Sequence, residues 1–227
     1  MRRGRGLALG TTLGALIALA AVAPPVDDRA DGSLAVHMLQ HLTLVFAAAP
    51  LLAWAGSALL LSSRLGRRAV ALFDLAPLRL AASPAAGWLA LTAVMTVTHV
   101  PAVFDAVERH PPLHAAEHAA YLLAGVLFWR PALGPEGRGK LPRALRLPYL
   151  VAAMPAGDLV GMWLVTRGAP AYAAYRGAAG GGQRAAGAEM IAASFVLAAV
   201  GVREAWGGLA REQRRTEATE RIGVRLG

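Results

Sequence analysis

No cysteine occurs among the 227 residues. Disulfides, thiolate metal sites and a cysteine nucleophile are thereby excluded, and a soft metal ion can find only imidazole, thioether or carboxylate ligands. Charge is scarce too: 16% of the residues are charged and 56% hydrophobic, with a mean hydropathy of +0.46. That balance leaves too little polar surface for a soluble domain of this size and points to lipid as the solvent. Acidic residues are the rarer sign, 14 against 23 Lys and Arg, for a net charge of +9. The basic residues stand in short clusters between apolar runs, not along one amphipathic face, which argues against a nucleic-acid partner. No internal repeat is present.

What the chain does contain is long apolar runs. A helix needs about 20 apolar residues to cross the hydrocarbon, because no backbone group can go unpaired in lipid. Six segments meet that length, at 7–24, 34–61, 85–104, 114–131, 147–166 and 187–205. The expected fold is therefore all-α, a polytopic transmembrane bundle of about six spans forming one domain over 1–206. The charged segment 207–227 has no apolar stripe and reads as a cytoplasmic tail, either a solvated helix end or disordered.

Short loops rich in lysine and arginine stay in the cytoplasm. Arg29, Arg109, Arg167, Arg176 and Arg184 fall in one set of alternate loops, in company with Asp27, Asp28, Asp31 and Glu108. The remaining basic residues, among them Arg67, Arg68, Arg79 and Arg138, fall on the other side. Both termini are thus expected in the cytoplasm of a multi-pass plasma-membrane protein. The first segment, with MRRGR, an apolar run and Ala21-Val22-Ala23, also has the features of a cleavable signal peptide.

Ionisable residues within spans are costly and mark function by default. Span two opens with HMLQH, placing His37 and His41 one turn apart on one helix face with Gln40 beside them. Span four opens with HAAEH, giving His114 and His118 the same spacing with Glu117 adjacent. Span three closes with HVPAVFD, which carries His99 and Asp105. Spans five and six add Asp158, Met154 and Met162, then Gln183, Glu189 and Met190. All five span histidines fall in the half of the membrane away from the basic loops, although the orientation argument made no use of histidine. Two imidazoles at i and i+4 can converge on one metal; neutral imidazole suits copper, zinc and iron, and thioether selects Cu(I). Gln40 and Glu117 are placed to hold ring N–H groups from behind. Met38 and the other methionines read first as packing residues, with Met38 in support of the pair. Pro50, Pro101 and Pro155 are expected to kink or end spans, and 177–182 reads as a flexible glycine loop.

HMLQHLTLVFAAAPLLAWAG, HVPAVFDA, LHAAEHAAYLLAGVLFWRP and the later Gln183, Ala186-Gly187 and Met190 resemble, in order, the motif blocks of the multi-spanning bacterial CtaG-like cytochrome c oxidase assembly factors. The resemblance covers roughly 34–200. It implies a non-enzymatic role in maturing the copper-containing respiratory oxidase, with copper handled on the outer face of the plasma membrane. The family histidines carry over to His37, His41, His99 and His118, with His114 alongside. Cytochrome c oxidase subunits, a copper donor protein and membrane lipid are the implied partners. Asp105 and Asp158 are supporting residues in this reading. The chain departs from the family pattern in two respects: many relatives begin with a further span, giving seven, and at the start of span six Gly182 stands where an acidic residue is expected and Glu189 where a hydrophobic one is usual. The alternatives are a haem-binding or quinone-linked redox protein that uses the same histidines as axial ligands, and a scaffold that binds no metal. HAAEH is not the HExxH of a zinc protease, because its glutamate precedes the second histidine rather than following the first.

Overall fold

The computed structural model describes residues 2–56, 58, 64, 80, 83–134, 140–176 and 182–226. Arg67, Arg68, Arg79 and Arg138, the glycine run 177–181 and most of 57–61 at the end of the second expected span lie outside the described residues. Among the described residues there is no strand. The helices are α1 (Arg2–Ala21), α2 (Pro24–Ala30), α3 (Leu34–Gly56), α4 (Pro84–Thr98), α5 (Pro101–Glu108), α6 (Pro111–Leu133), α7 (Arg143–Val151), α8 (Met154–Thr166) and α9 (Gln183–Leu226). A single 3₁₀ turn, Ala173–Tyr175, interrupts the connection between α8 and α9.

Proline sets most of the breaks. It occupies the first turn of α2, α4, α5, α6 and α8, where its missing N–H has no intrahelical partner to lose. Ser83 caps α4 by accepting from Ala86 N at 3.1 Å. In α3 the response to Pro50 is different, because the helix continues through it. Residues Leu44–Ala48 widen into a π-turn, with the Ala49 N–H returning five residues to the Leu44 carbonyl. The next bond in that register would run from residue 50 to the Val45 carbonyl, and proline has no N–H to give. The indole N–H of Trp129 on α6 takes its place, donating to Val45 O at 2.7 Å.

Among the described residues, four stretches are long and apolar enough to cross a membrane: Gly4–Ala21, Leu34–Gly56, Arg143–Thr166 and Gln183–Glu204. A fifth results if α4 and α5 are taken together, but the chain bends by 81° between them. The expected third span is therefore broken at His99, just before Pro101. α6 has the length, 23 residues, but is not among the stretches that pass on apolarity. His114, Glu117, His118 and Arg130 dilute it. About six spans is thus an approximate description of a bundle in which His114, Glu117 and His118 of α6 are buried.

α3 lies at the centre, against α1, α6 and α9; α4 packs on α6, and α9 on α7 and α8. Helix association in lipid depends on close packing and interhelical hydrogen bonds, since burial from lipid offers little hydrophobic gain. The α8–α9 crossing shows the first device. A Cβ added to Gly161 would stand 2.7 Å from the Gly187 carbonyl, so only glycine permits that approach. Arg146 and Glu204 show the second, pairing at 2.5 Å to tie α7 to α9. Leu9, Leu13, Leu16, Leu19, Leu123, Leu159 and Phe195 point outward and form the lipid-facing surface. α1, which contains the signal-like stretch, is packed along α3, and Gln40 on α3 donates to the Ala21 carbonyl at 3.1 Å. At the other end of the chain α9 runs from Gln183 to Leu226.

Candidate metal centre

α3 and α6 each begin with a histidine pair at i and i+4, and their packing turns the two pairs toward each other. Ring centroids are 4.4 Å apart for His37–His41 and for His114–His118 within each helix. Across the helices His37 stacks on His114 at 5.2 Å and His41 meets His118 at 5.3 Å. All four are buried, His37 completely. Two carboxylates stand among them. Glu108, at the end of α5, comes within 3.5 Å of His37 Nδ1 and 3.7 Å of His114 Nε2, and Glu117 within 3.8 Å of His41 Nε2.

None of these approaches is a hydrogen bond. Both ring nitrogens of His37 and of His41 are buried with no hydrogen-bond partner among the described residues, as are His114 Nε2, His118 Nε2, Glu108 Oε1 and Glu117 Oε1. A buried polar group left with no partner at all costs about 1–3 kcal/mol. A cation seated among them would accept the imidazole lone pairs and neutralise the carboxylate at once. One donor atom each from His37, His41, His114 and Glu117 lies within 4.8 Å of the others, and Asp27, His114 and His118 make a second such group. His114 belongs to both. A nitrogen-rich set with a single carboxylate suits a divalent transition ion such as copper or zinc better than a hard cation such as magnesium.

A roof closes this end of the bundle. Phe104 of α5 stacks on Tyr172 at 3.8 Å, and the Ala174 N–H donates to Asp105 Oδ1 at 3.1 Å. Tyr175 donates to the Ala30 carbonyl at 2.8 Å and also reaches Glu108. Burial, with Glu108 nearby, pushes the Tyr175 hydroxyl up, so it keeps the proton it donates. Gln183 pins the segment that carries these tyrosines: its amide accepts from Ala171 N at 2.7 Å and donates to Leu164 O at 3.1 Å. Gly182, where the family pattern leads one to expect an acid, has φ 66°, and a Cβ there would stand 2.9 Å from that of Ala35. A left-handed backbone pressed against α3 takes glycine readily.

The structure gathers His37, His41, His114, His118 and Glu117, and it separates other expected residues from them. His99 sits at the α4–α5 break, its Nδ1 2.6 Å from the Met95 carbonyl and its Nε2 3.2 Å from Met38 Sδ. It is in neither ligand group. Gln40 does not hold an imidazole; its amide donates to Ala21 O and, at 3.1 Å, to Asp27 Oδ1. Asp105 supports the roof. Asp158 accepts from Ser194 Oγ at 2.5 Å in the α8–α9 pair and takes no part in either group. Glu108 and Asp27 are the residues that sequence reasoning passed over as ordinary loop acids. The available signal was that both fall on the histidine side of the chain.

This is a polytopic helical membrane protein that holds a buried cluster of imidazoles and carboxylates at one end of its bundle. The chain belongs to the cytochrome c oxidase caa3 assembly factor family, CtaG, whose pattern matches residues 7–206. A role in cytochrome c oxidase assembly goes with that membership. No curated protein and no solved structure matches the chain.

Proposed function

We propose that the protein binds copper as cargo through His37, His41, His114 and Glu117, with Asp27 and His118 beside them, and assists its insertion into cytochrome c oxidase. The observation that carries this reading is the set of buried, unpartnered imidazole nitrogens where α3 meets α6. An ion bound there would give these nitrogens and the carboxylate oxygen partners that the surrounding protein groups do not supply. The protein does no chemistry on the ion; its role is selection, retention and release. The distribution of basic loops supports a cluster on the outer side of the plasma membrane with both termini in the cytoplasm. There it meets oxidase subunits laterally in the bilayer and receives copper from a donor protein.

The haem alternative fares worse. Adjacent imidazoles stand 4.4–5.3 Å apart, centroid to centroid, and a macrocycle between them would have to part α3 from α6. Copper content of the detergent-purified protein after loading and desalting tests the proposal, wild type beside the H37A/H41A double variant. Retention of copper by wild type alone supports it. Equal stoichiometry in a folded double variant removes the cluster as the site, and no copper in either leaves a metal-free scaffold.

A further inference from the structure

His99 presents a combination that the cluster does not explain. Its Nδ1 lies 2.6 Å from the Met95 carbonyl, an atom that can only accept, so the ring proton is on Nδ1. In the neutral ring, Nε2 then carries a lone pair. That lone pair faces the thioether of Met38 at 3.2 Å, so two donors with no proton between them meet in a place where His99 and Met38 are both buried. Repulsive as it stands, the contact becomes favourable if a cation lies at its edge. Other contacts hold the arrangement in place. The Tyr172 hydroxyl donates to the His99 carbonyl at 3.3 Å, and Thr98 and Tyr121 hydroxyls stand on the Nδ1 side. A ring N–H given to a backbone carbonyl is the usual way a metal-binding imidazole is oriented.

We propose that His99 Nε2 and Met38 Sδ form a second metal site, separate from the imidazole–carboxylate cluster and selective for a soft monovalent ion, Cu(I). In a chain without cysteine, thioether is the only sulfur ligand, and sulfur with imidazole favours Cu(I) over divalent ions. The cluster, built from nitrogen and oxygen, has the opposite preference. Met38 directly follows His37 and lies three residues before His41, so the two sites are neighbours on one helix. At 3.2 Å the two donors subtend a sharply bent angle at any shared ion and leave its remaining positions to a mobile ligand. Such a site holds an ion without trapping it.

The test uses Ag(I), a redox-inert stand-in for Cu(I), added to the detergent-purified full-length protein. Wild type should bind one tightly held equivalent, and silver X-ray absorption of selenomethionine-labelled protein should show a selenium neighbour. M38L keeps the volume but not the ligand. It should lose at least about tenfold in Ag(I) affinity and lose the selenium neighbour, while Cu(II) bound at the cluster keeps its paramagnetic spectrum. H99Q should lose the same Ag(I) equivalent. No selenium neighbour in wild type would overturn the proposal, as would unchanged Ag(I) binding in folded M38L. Absence of Cu(II) binding in wild type counts against the cluster and leaves the Ag(I) result standing.

Discussion

The indole of Trp129 on α6 donates to the carbonyl of Val45 on α3, one turn beyond His41, and so replaces the hydrogen bond that Pro50 cannot make. The bond fixes α6 against α3 in the register that turns the two histidine pairs toward each other. W129F keeps an aromatic ring but removes part of the bulk along with the donor, leaving Val45 O without the indole bond and a small cavity beside it. The expected loss is about 1–2 kcal/mol of bundle stability, read as a lower thermal midpoint in detergent, together with weaker copper retention. An unchanged midpoint would mean that another group satisfies Val45.

His114 is shared by both ligand groups, whereas His118 belongs to one. H114A should therefore weaken copper binding more than H118A. Titration against a competing chelator measures both affinities, and equal losses would argue against a shared ligand.

At the α8–α9 crossing, an added methyl on Gly161 meets the Gly187 carbonyl. G161A should destabilise the bundle by roughly 1–3 kcal/mol, because backbone cannot move aside as a flexible side chain would. Copper stoichiometry of the surviving folded protein should be unaffected, since neither residue belongs to the cluster. Metal content and a denaturation curve on one preparation separate the two effects.

Tyr175 closes the roof through its hydroxyl bond to Ala30. Y175F costs about 1 kcal/mol and loosens the cover while leaving every proposed ligand in place. Copper should leave faster at unchanged stoichiometry, which stopped-flow transfer to a chromophoric chelator would show. Slower transfer would contradict the role given to this contact.

Haem supplementation during expression should give a colourless protein. A Soret band that disappears in the H37A/H41A variant would restore the haem reading in place of copper.

Much of this was present in the sequence because its causes are local. Helix formation in lipid follows from the length and apolarity of each run, the breaks follow from prolines at helix starts, and i, i+4 spacing puts each histidine pair on one face. Motif order carried the family resemblance. The third and fourth spans were read less well. His99 and Pro101 sit inside an apolar stretch that looks continuous by composition yet turns by 81°, and three of the polar residues that lower the apolarity of α6, His114, Glu117 and His118, are buried in the bundle.

A helical membrane protein with its span histidines toward one end was already written in the residue order, because hydropathy, proline position and helical period act within a few turns of chain. Which donors meet depends on how the helices pack. Glu108 and Asp27 joined the imidazoles, Gln40 turned to Asp27 and Ala21, and His99 turned to Met38. The reason is physical: those choices depend on the rotation and register of α3 against α6 and α5, and these are set by distant contacts such as Trp129 on Val45 rather than by any local pattern.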